Sequence, residues 1–557
     1  MGLANDHAPL SRALPILRKS HTQPQPILPK VRELQIFRRG QQQKNLSFFC
    51  QLRSSAWLRN PFLLEATFDL QGAAMVAPYL SAAVGQSPQM LHSLQLFPFA
   101  LCLTMAKRRR VVALLGGALS TTLLLGGCLG NPPDRTGSGT ATAPDGASAP
   151  SATPVAADAD VEVRTISLGF VPILEAAPLV IGVEKGFFAK HGLDVKLSKQ
   201  SSWSAARDNV VLGSAGGGID GGQWQLPMPQ MISEGVITNG KKVPMTILAM
   251  LMSQGNGIAA ANSVKDGNLT YNLKTSSPGF FQKFNQKEGR KFRAAYTFSK
   301  ANQDIWIRYW LAAGGVNPNT DVELLTVPAP ETLQGMKTGT MEAFSTGDPW
   351  PSRIAKDNVG YLAATTAQIW KAHPEEYLAV RSDWVEKHPK ASVALLKGLI
   401  EAQMWLDKPE NKDEAAQILS TRKWFNVPVA VLQESLKGQY KLGANGTPSN
   451  DPKIGPLYWS SDRGVISYPY KSLTLWFLLE SLRWKFYPGT VDTIEQAKAI
   501  NDKVTREDLW REAAKAVGVP EKDIPTSSSR GKEVFFDGIV YDPANPQAYL
   551  NSLKIKN

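Results

Sequence analysis

The residues best placed to do chemistry lie in one glycine-dense stretch, Trp203 to Pro229, reading W-S-A-A-R-D-N-V-V-L-G-S-A-G-G-G-I-D-G-G-Q-W-Q-L-P-M-P. A helix is predicted over Ala205 to Leu212, then a turn carrying Gly216, Gly217, Gly218, Gly221 and Gly222. Consecutive glycines reach φ > 0 and let backbone N–H groups approach a ligand closely. Several such N–H groups in one concavity make an anion-binding nest; the same string equally suits a tight, solvent-facing turn. It lacks G-x-x-x-x-G-K-S/T and is not a nucleotide phosphate loop. Catalytic groups are sparse elsewhere. Cys50, Cys102 and Cys128 are the three cysteines, so the chain beyond Cys128 has no disulfide, thiol nucleophile or thiolate metal site. The six histidines (His7, His21, His92, His191, His373, His388) form no H-E-x-x-H or H-x-H pair, and no Ser/His/Asp spacing of a hydrolase is found.

The elements that must position such a site read as α/β. Arg164 to Val171 alternates like a strand, Glu175 to Lys185 reads as a helix, and Asp194 to Lys199 is a second strand. Strand, helix, strand implies a parallel sheet. The pattern continues with strands at Val243–Met252, Lys291–Phe298, Val322–Val327 and Met341–Ser345. A helix from Gln303 to Ala313 is expected to be capped by Asn302 and to end at Gly314 and Gly315. Another runs from Glu331 to Lys337, and from Pro389 onward the chain is mainly helical.

Charge is unevenly distributed. Of 61 basic and 48 acidic residues, 14 and 4 fall in residues 1–128, leaving 47 and 44 beyond. The body is therefore near neutral, and the basic total is no argument for nucleic acid.

Residues 1–104 mix Gln-rich, Pro-rich and short apolar pieces without a sustained period, and are expected to be an over-extended start, with translation beginning at Met105. Residues 105–128 have the form of a lipoprotein signal peptide: Met105-Ala-Lys-Arg-Arg-Arg, then an apolar region of 15 residues from Val111 to Leu125, then Gly126, Gly127 and Cys128. Small residues before a single cysteine resemble a bacterial lipobox, which makes Cys128 the expected lipidation site. Residues 129–160, rich in Pro, Gly, Ser, Ala and Thr, read as a flexible tether with a mean reach of roughly 30 Å. The expected location is the outer, periplasmic face of the plasma (inner) membrane, held by the lipid.

The run Glu184-Lys-Gly-Phe-Phe-Ala-Lys-His-Gly-Leu-Asp-Val-Lys-Leu resembles the substrate-binding proteins of ABC importers for nitrate, sulfonates and taurine. Ser214-Ala-Gly-Gly-Gly-Ile-Asp-Gly-Gly-Gln-Trp-Gln, Asp304-Ile-Trp-Ile-Arg-Tyr-Trp-Leu-Ala-Ala-Gly-Gly, Phe344-Ser-Thr-Gly-Asp-Pro-Trp and Phe535-Phe-Asp-Gly narrow the resemblance to the cyanobacterial nitrate- and bicarbonate-binding lipoproteins, over about residues 160–557. The resemblance implies a two-lobed periplasmic-binding-protein-like α/β fold with the ligand in the cleft and no catalytic activity. Lobe one would be 161–260 plus 383–530, lobe two 261–382, and 531–557 a C-terminal tail packed on the body. Ligand binding would close the lobes for docking on a membrane permease with its ATPase subunits. Thiamine-pathway enzymes share this architecture, but a signal peptide and a body without cysteine point away from them.

The resemblance also implies a ligand set. The aromatic, glutamine and glycine that hold nitrate in the family align with Trp203, Gln254 and Gly347. The family's histidine falls on Gln303 and its lysine on Glu376, beside Glu375. Gln223, Asp348 and Glu175 are further candidates. A nitrate ion has only acceptor oxygens, and burying it beside a carboxylate without a countercharge costs several kcal/mol, on the order of the desolvation of a buried ion. Bicarbonate brings an O–H donor and can share a hard cation with that carboxylate. Ca²⁺ takes oxygen ligands, and the bicarbonate-binding relatives are expected to hold it through positions matching Thr297, Gln303 and Glu376. Gln303 opens a helix, whose positive end favours an anion, so the anion is expected to face the helix and the metal to face Glu376. The expected function is capture of bicarbonate with Ca²⁺ for inorganic carbon uptake; the alternative is a nitrate/nitrite-binding lipoprotein on the same fold.

Overall fold

The computed structural model describes residues 154–156 and 159–557. The expected start at Met105, the signal peptide, Cys128 and nearly all of the tether lie outside the described residues.

Two sheets organise the body. The first runs in the order β2-β1-β3-β10-β4, from β1 (Thr165–Phe170), β2 (Asp194–Lys199), β3 (Gly221–Gln225), β4 (Met245–Met250) and β10 (Glu376–Arg381). The second adds β5 (Asn256–Ala261), β6 (Phe292–Tyr296), β7 (Val322–Thr326), β8 (Ala343–Gly347), β9 (Gly360–Thr365), β11 (Gln439–Leu442) and β12 (Thr447–Asn450), in the order β12-β11-β9-β5-β8-β6-β7. Strands β3, β4, β5, β8 and β9 are buried along their whole lengths, as strands covered on both faces must be.

The sheets are mixed, not parallel throughout as the strand–helix–strand pattern implies. β1 pairs parallel with β2 and β3, but β10 is antiparallel to β3 and β4. β6 is parallel to β7 and β8, but β5 is antiparallel to β8 and β9. The reason is the crossing of the chain. β4 ends at the cleft, and the chain passes through 251–255 and enters the second sheet from its cleft edge as β5. It returns through 366–375 and enters the first sheet the same way as β10. A strand entering from that edge must run against strands whose C-terminal ends face it. The crossings therefore fall earlier than 260 and 382: β5 belongs to lobe two and β10 to lobe one. The β11–β12 hairpin, within the 383–530 span expected in lobe one, joins the second sheet.

The crossing segments are tied to each other. Ser253 pairs with Pro374 and with Leu457, and its Oγ donates to the His373 carbonyl at 2.7 Å. Helix Pro389–Asp407 packs on helices Ala177–Glu184 and Glu507–Ala516 behind the first sheet, burying Leu395, Leu396, Leu399 and Ile400 completely. Each such side chain contributes about 1.5–3 kcal/mol relative to exposure. The C-terminal tail lies on the body through Phe535, whose ring is 4.8 Å from Tyr309 and 4.7 Å from Trp370, and through the Phe536 N–H, which donates to the Ile369 carbonyl at 2.9 Å. No helix among the described residues is long and apolar enough to cross a membrane.

Candidate functional site

The glycine run is not a ligand nest. Residues 214–217 are exposed, and their N–H groups are spent locally: Gly216 N–H donates to the Gly213 carbonyl, Gly217 to Ser214, Gly218 to Gly213, and Ser214 to Asp220 Oδ1. The solvent-facing turn is what forms. Gly222 serves close packing instead, since a Cβ there would sit 2.1 Å from the Gly169 carbonyl oxygen on β1.

The chemistry gathers where the C-terminal ends of β1, β3, β6 and β8 meet the entering ends of β5 and β10. Glu376 opens β10 and is fully buried. Gln223 Nε2 donates to its Oε2 at 2.6 Å, while Gln223 Oε1 accepts from the Val171 N–H at 3.0 Å. Across the cleft, Gln303 Nε2 makes a long 3.5 Å contact with Glu376 Oε1. Gln303 Oε1 accepts from the Thr297 hydroxyl, which in turn accepts from Gln225 Nε2 at 2.7 Å. Glu376, Gln303, Thr297 and Gln225 thus form one string that starts and ends in lobe one and passes through lobe two. Burial, and then the charge of Glu375, push the Glu376 carboxyl well above the usual carboxylate range.

A second network lies beside it. Asn302 Nδ2 and Asn256 Nδ2 donate to Glu375 Oε2 at 2.6 and 2.7 Å. Asn302 is not a helix cap: it lies inside helix Asn302–Ala313, whose cap position is Ala301, and its amide is spent on Glu375. His373 Nε2 lies 2.8 Å from Thr366 Oγ1, and its Nδ1 is 3.2 Å from Glu375 Oε1. Burial pushes His373 down to about 3, so it is neutral and its contact with Glu375 is not an ion pair; burial together with the Glu175 charge pushes Glu375 well up.

Glu175 is fully buried just after β1, in the short turn Leu174–Ala176. Burial first, then Glu376 and Asp348, push its carboxyl well up, and neither oxygen is hydrogen-bonded by another residue. It lies against Gly347, the last residue of β8: a Cβ there would sit 2.6 Å from both oxygens. Asp348 is satisfied by the protein, accepting from Ser352 Oγ at 2.8 Å and Tyr440 OH at 3.0 Å; burial raises it to about 6. Gln254 is committed to loop backbone. Its Oε1 accepts from Ala372 N–H at 2.9 Å, and its Nε2 donates to the Lys453 and Gly455 carbonyls at 2.9 and 2.8 Å. Trp203 begins the helix capped by Ser202 and is buried with its indole N–H unpartnered.

So Glu376, Gln303, Thr297 and Gln223 come together, Gly347 and Asp348 border Glu175, and Gln254 clips the crossing loops. Gln225, Asn256, Asn302 and His373 were missed as site residues. One signal was available for Gln225: residues i and i+2 of a strand share a face, so Gln223 and Gln225 place two amides side by side on a buried strand. Chemically the site is rich in buried carboxylates and side-chain amides, with no cation among the contacts just described. Among the described residues no group of three or more His, Cys, Asp or Glu side chains is placed to hold a metal. A hard ion here would need amide and hydroxyl oxygens besides carboxylates, and Thr297, Gln303 and Glu376 supply that mixture.

The NMT1-like family matches residues 159–420. The chain is 60% identical to the bicarbonate-binding protein CmpA of Synechococcus elongatus, over 81% of this chain and 98% of that protein. It is 48% identical to the crystal structure of the periplasmic nitrate-binding protein NrtA from Synechocystis, covering 71% of this chain and all of that one, with a TM-score of 0.67. It also matches the bicarbonate transport ATP-binding protein CmpC of S. elongatus at 30% identity, over 71% of this chain and 56% of that protein. These likenesses, with the two-sheet architecture and its cleft, establish that the chain belongs to the family of bicarbonate- and nitrate-binding proteins, as a substrate-binding protein of the ABC-importer type and not an enzyme.

Proposed function

We propose that this protein captures bicarbonate together with Ca²⁺ and delivers it to the permease of an ABC importer. The observation that carries this reading is the charge of the cleft. Glu175, Asp348, Glu375 and Glu376 are all buried there, and the two positions at which the nitrate binders are expected to place cationic groups hold Gln303 and Glu376. A buried aprotic anion would face carboxylates with nothing to offset them. Bicarbonate has a hydrogen to donate, and a divalent cation would balance both the anion and Glu376. Thr297, Gln303 and Glu376 would hold the ion through side-chain oxygens, and it would supply the positive charge that these residues lack. Gln223 and Gln225 orient Glu376 and Thr297, while the unpartnered Trp203 indole N–H is free to donate to an anion. The likeness to CmpA supports the choice of anion, and that to CmpC supports an ATPase-driven partner.

A bound ligand would hold Gln303 and Thr297 of lobe two against Glu376 and Gln225 of lobe one, as they lie here, giving the permease a closed form to recognise. Lipidation of Cys128 would hold the protein at the periplasmic face of the plasma membrane, with residues 129–160 as the tether. Titration calorimetry of the purified protein with bicarbonate and with nitrate, each in Ca²⁺ and in EDTA, tests the reading. Bicarbonate heat that disappears in EDTA, without nitrate heat, is expected. Nitrate heat indifferent to EDTA would establish the nitrate alternative instead.

A further inference from the structure

Glu175 differs from every other acid of the cleft. Glu376 accepts from Gln223, Glu375 from Asn256 and Asn302, and Asp348 from Ser352 and Tyr440. Glu175 accepts from no other residue, although its side chain is fully buried. A buried carboxylate left without a donor loses its hydration and gains nothing in return. Its place is fixed from both lobes. The Leu174 N–H beside it donates to the Asp348 carbonyl at 2.7 Å, and the Trp350 indole donates to the Pro172 carbonyl at 3.1 Å. Glycine at 347 leaves room for the carboxylate against the end of β8. The charged neighbours that act on it, Glu376 and Asp348, are acids. A partner that is not itself a cation must therefore bring a hydrogen of its own.

We propose that Glu175 is the specificity-determining residue of the cleft: its carboxylate accepts the O–H of a hydroxylated oxyanion and refuses an oxyanion of similar shape that has none. This rests on the bicarbonate reading and deepens it. No bond is broken; the hydrogen stays on the ligand oxygen and is shared with Glu175. A site built around such a hydrogen bond rejects the analogue lacking it by roughly 10⁴-fold, because the buried partner is then unpaired.

The test is calorimetric titration of the full protein with sodium bicarbonate and with sodium nitrate, in Ca²⁺, for wild type, Glu175→Gln and Glu175→Asp, with far-UV circular dichroism as the folding check. Glu175→Gln replaces an acceptor-only group with one that can also donate. The bicarbonate-over-nitrate affinity ratio is expected to fall by about a hundredfold or more, largely through newly gained nitrate binding, while Glu175→Asp keeps the wild-type preference. Gly347→Ala, which crowds the carboxylate without removing it, is the second variant if Glu175→Gln fails to fold; the ratio is expected to fall there through weakened bicarbonate binding. A folded Glu175→Gln protein with an unchanged ratio, beside a wild type that binds bicarbonate, overturns this inference alone. A wild type that prefers nitrate with Glu175 in place overturns the bicarbonate reading and this inference together.

Discussion

Glu376 in the cleft and Glu480 in helix Lys471–Arg483 are both completely buried, and they are treated in opposite ways. Glu480 is enclosed by partners from its own neighbourhood. Tyr549 OH donates to its Oε1 at 2.6 Å, and Arg483 Nη1 and the Trp484 indole donate to its Oε2, each at 3.1 Å. The tyrosine hydroxyl is held in turn by the Trp476 indole at 2.9 Å. Charge is matched by charge one helical turn away. Glu376 receives only amide donors, one of them from the opposite lobe, and the neighbouring charge that acts on it is another acid, Glu375. A buried acid that carries its own cation is part of the scaffold; one held by neutral donors among other acids is waiting for charge from outside. In this protein the cleft acid and the scaffold acid can thus be told apart by the charge around them.

The comparison can be broken by reversing either member. Glu376→Lys places a cation where the ligand's positive charge belongs. It is expected to weaken Ca²⁺-dependent bicarbonate binding by about a thousandfold or more, on the order of 4 kcal/mol, with the protein still folded; calorimetry with and without EDTA measures it, and unchanged binding would remove Glu376 from the site. Glu480→Ala strands the buried Arg483 and is expected to destabilise the fold by about 3–5 kcal/mol, while leaving the preference between bicarbonate and nitrate where it was. Urea unfolding and the same titration check both halves; a stability loss below about 1 kcal/mol would mean that the pair is no more than a surface-like one.

Asp348 sharpens the contrast with a smaller effect. Burial raises it to about 6, above the ordinary aspartate range. Between those values the folded state holds a proton that the unfolded state has released, so stability falls as pH rises through that window, and the penalty is complete above it. Asp348→Asn cannot titrate. Its unfolding free energy is expected to be flatter between pH 4 and pH 7, and to exceed that of wild type at pH 8 by at most about 3 kcal/mol, the gap closing towards pH 4. Unfolding curves across that range decide it; a gap that widens on acidification would reverse the assigned sign.

Much of the fold was legible because its signals are local. Asp194–Lys199 is a strand over the range its alternation predicts, and the helix expected over Gln303–Ala313 forms as Asn302–Ala313. The lobe exchange was less legible. β5 and β10 are apolar strands like their neighbours, and nothing within either says which sheet it will enter. The glycine run misled for a related reason: permissive backbone fits a nest and a turn equally well, and only the exposure of residues 214–217 separates them.

The sequence by itself determined that Glu376 and Gln303 stand where family relatives are expected to place cations, because residue type is a local fact and its charge travels with it. It also determined a body without thiol or histidine-pair chemistry, for the same reason. Tertiary structure alone decided which groups answer one another. Gln223 meets Glu376 across 153 positions, Gln225 meets Thr297 across 72, and Asn302 leaves its expected cap for Glu375 across 73. Hydrogen bonds act over about 3 Å, so they depend on where two distant segments come to rest when the chain crosses twice between lobes. The same closeness leaves Glu175 buried and unanswered, a condition that no stretch of sequence can display.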